Sequence, residues 1–217
     1  MTPGLIFDLD GTLVDSLPGI AASLNRALRR LGMPEHGDAA VRGFIGNGSY
    51  ELARRALPAD AGADRVSALE SAFKQDYAGT WHQGTTPYAG IPELLQGLRE
   101  AHHALAILSN KPHDFTVEIV ARMFPSTSFQ PVLGQRPELP RKPDPAGARV
   151  IARGWQLPPA DCRFIGDSTV DLETARAAGM PFVAVGWGYH DPATLEAAGP
   201  DFLAPDPAAL AAFFGID

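Results

Sequence analysis

The 217-residue chain has a single cysteine, Cys162, which excludes an intramolecular disulfide framework. Its apolar flank marks it as a small core residue. Long apolar runs are also missing: none approaches the roughly 18–20 residues that a membrane-spanning helix needs. The first strand-like segment begins almost at Met1, which leaves no room for a signal peptide. Basic residues are in deficit, 18 against 25 acidic ones, for a net charge of −7, so there is no electrostatic footprint for nucleic acid. No internal repeat occurs, and no low-complexity tract beyond an enrichment in Ala and Pro. These absences lead us to expect a cytoplasmic protein with neither nucleic acid nor membrane as partner, a monomer or a small homo-oligomer. What remains is an ordinary globular composition, 45% hydrophobic and 20% charged. The length suffices for one sizeable core, or for one domain plus a smaller module.

Against that background one run stands out: Phe7-Asp8-Leu9-Asp10-Gly11-Thr12-Leu13. It ends the apolar segment Leu5-Ile6-Phe7, which reads as a short buried strand. In an open α/β sheet, the carboxyl ends of strands are where ligands bind. If the backbone stays extended through Asp10, Asp8 and Asp10 share a face and converge on one site. Two carboxylates beside a hydrophobic strand need a cation or strong donors. A metal ion would supply that cation.

Farther along, Pro18 opens a helix whose apolar positions Ile20, Leu24, Leu28 and Leu31 keep the helical period, with Gly32 as its stop. Ser49 is placed to cap a helix through Leu52, Ala53 and Leu57. Asp64 is placed to cap another with Val66, Leu69, Phe73 and Tyr77. No strand pattern occurs between Ser16 and Thr86, so the region reads as an all-helical insertion. From Pro87 onward strands and helices alternate. Ala104–Leu108, Pro131–Leu133, Phe164-Ile165 and Phe182–Val185 read as strands. Helices are expected after Pro92, through Phe115–Met123, after Asp144-Pro145, around Leu172–Ala178 and near Ala208–Phe214. Strands separated by helices of this length imply a parallel sheet with right-handed crossovers.

Polar groups follow several of these strands, and each has an ordinary explanation alone. Ser109-Asn110 after Leu108 suits a turn or a helix cap. Lys142 before Pro143 suits a solvated surface. Gly166-Asp167-Ser168-Thr169-Val170-Asp171 suits a turn with an N-cap. Their placement together is harder to dismiss. Asp8, Ser109 and Asp167 each terminate an apolar strand, so one parallel sheet brings them to the same edge. Mg²⁺ prefers hard oxygen ligands, commonly one or two carboxylates with waters and phosphate oxygens. A carboxylate can attack phosphorus, and a lysine with N–H donors can neutralise the oxygens of a transferring phosphoryl group.

Four elements in this order resemble the haloacid-dehalogenase-like hydrolase superfamily, its phosphatase branch in particular. They are Asp8-Leu9-Asp10-Gly11-Thr12, Ser109-Asn110, Lys142-Pro143, and Gly166-Asp167-Ser168 with Asp171. The resemblance implies an α/β fold, a Rossmann-like parallel-sheet core (residues 1–15 and 87–217) with an inserted all-helical cap (residues 16–86). It also assigns roles. Asp8 would be the nucleophile and Asp10 the general acid and then base. Asp8, the Asp10 backbone carbonyl and Asp167 would hold Mg²⁺. Ser109 and the Asn110 backbone would cradle phosphoryl oxygens, Lys142 would steady Asp8 and the phosphate, and Asp171 would orient the lysine or metal-bound waters. A dehalogenase lacks an aspartate at the Asp10 position, which makes that activity a poor match.

Phe44-Ile45-Gly46-Asn47-Gly48, Ser109-Asn110-Lys111-Pro112 and Asp15-Ser16 look like phosphoglycolate phosphatases. Gly46, Asn47 and Gly48 would then be the cap's contribution, small residues whose N–H groups approach a small anionic substrate; a plain turn is the alternative. Arg42, Arg54, Arg55 and Lys111 are candidate cations for a substrate carboxylate, or else solvated surface. His113 reads as a helix-start residue. The expected substrate is a small phosphorylated metabolite, 2-phosphoglycolate the best single choice. Sugar-phosphate, nucleotide or pyrophosphate hydrolysis, a β-phosphoglucomutase-like phosphomutase, and a non-catalytic regulator are the alternatives. The Leu17-Pro18-Gly19 run, where such mutases often place a histidine, argues for hydrolysis. Hinges are expected near Asp15–Leu17 and Gly84–Tyr88.

Overall fold

The computed structural model describes residues 2–216. In chain order the elements are β1 (Gly4–Phe7), β2 (Val14–Asp15), α1 (Leu17–Arg30), α2 (Asp38–Phe44), α3 (Ser49–Arg55), α4 (Ala63–Thr80) and β3 (Thr86–Pro87). They continue with α5 (Ile91–Glu100), β4 (Leu105–Pro112), α6 (His113–Met123), β5 (Val132–Gln135), α7 (Ala146–Gly154) and β6 (Cys162–Gly166). The last are α8 (Thr169–Ala178), β7 (Phe182–Val185), α9 (Pro192–Ala197), β8 (Phe202–Ala204) and α10 (Pro207–Phe213). The chain divides into two units. One runs up to Val14 and resumes at Pro87; the other is Asp15–Thr86.

The first unit is built on a six-stranded sheet in the order β5-β4-β1-β6-β7-β8. Its five pairings are all parallel. β1 lies between β4 and β6, with Phe7 opposite Ile107 on one side and Ile165 on the other. Helices cover both faces of such a sheet, so its strands are apolar throughout rather than alternating. Leu5, Ile6, Phe7, Ile107, Phe164, Ile165 and Val183 are fully buried accordingly. Because the strands are parallel and adjacent, the chain leaves β1, β4 and β6 at one edge of the sheet.

Strand β4 is longer than expected, continuing through Ser109, Asn110 and Lys111 to Pro112, with a register shift between Leu108 and Pro112. Ser109 and Asn110 are therefore strand residues rather than a turn. β8 and α9 give no clear signal, since Phe202–Ala204 is a three-residue strand set between prolines 200 and 205. At α7 the cap sits one residue later than the cap-then-proline pattern implies. The helix begins at Ala146, and the Asp144 carboxylate accepts from the Ala146 N–H at 2.8 Å.

In the second unit, α1 buries Leu17, Ile20, Ala21, Leu24, Ala27 and Leu28. Leu31, expected on that stripe, sits just past the helix and is 39% exposed. α4 buries Val66, Leu69, Phe73 and Tyr77 at helical spacing. Its start is Ala63, so Asp64 lies in the first turn, and Gly62 rather than Asp64 occupies the cap position. Ser49 does not cap α3 either; its hydroxyl donates to Glu70 at 2.6 Å, tying α3 to α4. Short α2, with only Val41 buried, offers too little periodicity to be read from sequence. α1 and α4 are also joined by charge. Arg26 Nε and Nη2 donate to Asp76 Oδ1 at 2.8 and 2.6 Å, and Arg30 Nη2 is 3.1 Å from Oδ2.

Candidate active site

The ladder of β1 extends one residue past Phe7, because the Asp8 N–H donates to Ile165 O at 2.9 Å. The backbone then bends at Leu9. The amides of Thr12, Leu13 and Val14 all donate to Leu9 O, at 3.3, 3.0 and 3.1 Å, winding the loop around one carbonyl. Gly11 permits this at φ 84°, a region that L side chains rarely adopt. A Cβ there would also run into the Asp167 carboxylate. The extended path expected through Asp10 is thus not taken, and the two acids meet different cations.

Asp8 Oδ1 lies 2.9 Å from Lys142 Nζ. No group among the described residues gives Oδ1 an aligned hydrogen bond, so Lys142 reaches it as a charge. Lys142 Nζ does donate to Asp171 Oδ1 at 2.6 Å, placing one buried ammonium between two carboxylates. Asp171 in turn accepts from Ser168 Oγ (2.6 Å) and Ser168 N (3.1 Å) through Oδ2. Its own N–H donates to Ser168 Oγ, completing a capping box at the start of α8. The cap and the lysine partner are one residue.

Asn110 acts on Lys142 through the backbone. Its Oδ1 accepts from Lys142 N at 2.8 Å and its Nδ2 donates to Lys142 O at 3.0 Å. The Ser109 hydroxyl accepts from Lys111 N at 3.2 Å. Asp167 Oδ1 accepts from Thr12 Oγ1 at 3.1 Å, and Oδ2 from the Tyr189 N–H at 2.8 Å. Trp187 Nε1 donates to Thr12 O at 3.0 Å, bracing the same loop. Thr12 stood in the first motif without a role, and Trp187 and Tyr189 had escaped the sequence reading. The signal for these last two was available, since Gly186–Tyr189 follows directly on β7 at the edge where β1 and β6 also end.

Lys111 is the main departure. Among the candidate surface cations it proves buried, at 8% exposure, and its Nζ binds Asp10 Oδ1 and Oδ2 at 2.9 and 3.0 Å. Arg54 is 2.8 Å from Glu51. Arg55 donates to Asn47 Oδ1 (2.6 Å) and Phe44 O (3.2 Å). His113 is the first residue of α6, with Nδ1 accepting from Gly134 N at 3.1 Å. Gly46, Asn47 and Gly48 belong to the second unit, where they connect α2 to α3. Gly46 and Gly48 there take φ 111° and 87°, which glycine tolerates without strain.

The electrostatics of the acid cluster are those of a site built for a cation. Burial pushes the Asp8 carboxyl up to about 7; Lys142 opposes that shift and Asp171 adds to it. Burial likewise raises Asp167 to about 8, helped by the charges of Asp171 and Asp8. For Lys142, burial works against the ammonium, but Asp171 and Asp8 outweigh it and hold its pKa above the usual lysine value. Asp8, Asp167 and Asp171 can each offer an oxygen within 4.8 Å of the others. Asp171 is already engaged by Lys142 and Ser168, whereas Asp8 Oδ1 has no aligned donor. A hard all-oxygen donor set with an under-satisfied carboxylate fits a divalent cation such as Mg²⁺.

Known proteins share this architecture. The haloacid dehalogenase-like hydrolase family model matches residues 5–185. The phosphoglycolate phosphatase of Pseudomonas putida is 35% identical over 214 residues, spanning 95% of this chain and 77% of that protein. That of Pectobacterium atrosepticum is 33% identical, over 92% of this chain and 87% of its own. Among solved structures, a haloacid dehalogenase-like family hydrolase from Streptococcus pneumoniae superposes with a TM-score of 0.88 at 26% identity, covering 98% of each chain. The predicted phosphoglycolate phosphatase of Haemophilus somnus gives 0.90 at 29% identity, covering 97% of each. Because that family match spans residues 5–185 and relatives at 33–35% identity cover most of its length, the chain belongs to the haloacid dehalogenase-like hydrolase family.

Proposed function

We propose that this chain, a phosphatase by its relatives, is a Mg²⁺-dependent hydrolase of small phosphomonoesters that works through an aspartyl-phosphate on Asp8, with 2-phosphoglycolate as substrate. The observation that carries the reading is the division of labour between two acids two residues apart. Asp8 is buried against Lys142, and Asp10 is held separately by Lys111. A single carboxylate would suffice for metal binding or for charge pairing. Two carboxylates in distinct environments suit nucleophile and acid–base roles.

In the first half-reaction an Asp8 oxygen attacks phosphorus. The bond to the ester oxygen breaks, and Asp10 donates a proton to that oxygen as the alcohol leaves. In the second, Asp10 takes a proton from water, the water oxygen attacks phosphorus, and the bond to Asp8 breaks to release inorganic phosphate. Lys142, the Ser109 hydroxyl and the Asn110 N–H bear on the non-bridging oxygens, where charge accumulates during transfer. Mg²⁺ held by Asp8, Asp167 and the Asp10 backbone carbonyl would supply further positive charge against phosphate. Asn110 acts a second time by fixing the Lys142 backbone.

Asp171 and Ser168 orient Lys142 from behind. The helical unit, with Gly46, Asn47 and Gly48, is assigned the part of a cap that contributes substrate contacts. A small phosphorylated metabolite as substrate supports a cytoplasmic location. The choice of 2-phosphoglycolate is supported by the relatives of that name. The test is phosphate release from small phosphoacids, sugar phosphates, nucleotides and pyrophosphate, with Mg²⁺ and with EDTA. Release that requires Mg²⁺ and is fastest in kcat/KM for 2-phosphoglycolate is expected. A strong preference for another ester overturns the substrate, and metal-independent turnover overturns the Mg²⁺ requirement.

A further inference from the structure

Two lysines are buried among the described residues, Lys142 and Lys111. Lys142 serves Asp8 and Asp171, whereas the reaction above gives Lys111 no task beyond holding Asp10. An ammonium group is costly to remove from water, and this one is held in place by more than its own side chain. Its N–H donates to Ser109 Oγ at 3.2 Å, and its carbonyl accepts from Thr116 Oγ1 at 3.2 Å. This backbone lies where β4 shifts register, so the lysine is delivered to the sheet edge by an irregularity of the strand.

We propose that Lys111 recognises a negative charge on the leaving group and so restricts the enzyme to phosphate esters of small hydroxy acids. The inference rests on the reading of Asp10 as proton donor to the leaving group. On that reading the Asp10 carboxylate marks where the ester oxygen sits, within hydrogen-bond reach. Lys111 Nζ lies 2.9 and 3.0 Å from the two Asp10 oxygens. The ammonium is then within about 6 Å of the ester oxygen. A carboxylate one carbon beyond that oxygen is within reach of the lysine. A neutral alcohol offers it only an uncharged acceptor, a weaker partner. Sharing one ammonium between two carboxylates is already how this site uses Lys142, between Asp8 and Asp171. Of the other candidate cations, Arg54 pairs with Glu51, Arg55 binds the Phe44–Asn47 loop, and Arg42 is exposed.

The experiment compares 2-phosphoglycolate with 2-hydroxyethyl phosphate, an ester of like size without the carboxylate, in the wild type, Lys111→Met and Lys111→Arg. The readout is the ratio of the two kcat/KM values, which a general loss of activity leaves alone. A hydrogen bond to a charged group predicts a wild-type preference for phosphoglycolate of about 10- to 100-fold. Lys111→Met should abolish that preference, chiefly through KM for phosphoglycolate, while Lys111→Arg keeps most of it. An unchanged ratio in Lys111→Met, with both esters slowed alike, would reduce Lys111 to a support for Asp10 and overturn the proposal. So would a wild type without preference. No phosphate from any ester in the wild type would overturn the phosphatase reading itself. Should Lys111→Met fail to fold, wild-type inhibition by glycolate against ethylene glycol reads the same preference, and equal inhibition overturns it.

Discussion

Asp8 and Asp167 show how burial and chemistry are linked at single residues. Both carboxyls have pKa values raised by burial, to about 7 and about 8. A group whose folded pKa exceeds its unfolded value, near 4 for Asp, stabilises the fold fully below that value. The stabilisation disappears as pH rises through the folded pKa. The metal-free protein should therefore lose stability between about pH 4 and pH 8. Mg²⁺ reverses the preference because it binds the ionised forms. Calorimetry in EDTA and in Mg²⁺ should show a larger metal-induced rise in Tm at pH 8 than at pH 5. Equal rises would show that these acids do not hold the ion. Lys142→Met should leave Asp8 and Asp171 without their shared cation, costing about 3–5 kcal/mol in denaturant titration and slowing turnover by about 10²–10³.

Residue-level legibility was one of position at Asp8 and Asp167, which directly follow β1 and β6 as the apolar runs before them imply. It failed at Lys111. A lysine beside a proline looks solvated, and only the continuation of β4 through Pro112 turns it inward. Asn110 illustrates a subtler limit. Its place was legible, but its clamp on the Lys142 backbone spans 32 residues of sequence and depends on tertiary structure.

At the scale of elements, periodicity was informative wherever one face is buried. α4 repeats Val66, Leu69, Phe73 and Tyr77 on its inner face, and α1 does the same up to Leu28. Leu31 continues the pattern in sequence but not in space, since the helix ends at Arg30 and leaves it exposed. Truncating Leu69 to Ala in this buried stripe should cost about 2–5 kcal/mol, read as a lower urea midpoint at unchanged slope. A cost near zero would mean that the stripe is not packed as described. The Arg26–Asp76 link between the same helices has a pH signature of opposite sign. The hydrogen bonds from Arg26 lower the Asp76 pKa, with burial opposing them. Its contribution is present above the unfolded value and is lost as pH falls through the folded one. Asp76→Asn should remove stability at pH 7 and flatten the acid limb below about pH 4; an unaltered acid limb would contradict the assignment. Elements whose buried face is too small stayed illegible, as with α2 and its lone buried Val41.

For the molecule as a whole, the parallel sheet explains why residues as distant in sequence as Asp8, Ser109 and Asp167 lie together. β1, β4 and β6 are neighbours running the same way, so their ends meet at one edge. The division of the chain at Val14/Asp15 and Thr86/Pro87 interrupts the first unit directly after its acidic loop, and the chain returns to it at Pro87. That arrangement lets helices be inserted without disturbing the ladder. No described helix is long and apolar enough to cross a membrane.

The central claim is the covalent role of Asp8, and the most direct measurement is Mg²⁺-supported phosphate release by the Asp8→Asn variant, with thermal unfolding as a check that the fold is intact. Removing a nucleophile is expected to lower kcat by about 10⁴-fold or more while the protein remains folded. A folded Asp8→Asn protein that still releases phosphate at a rate near the wild type would contradict it.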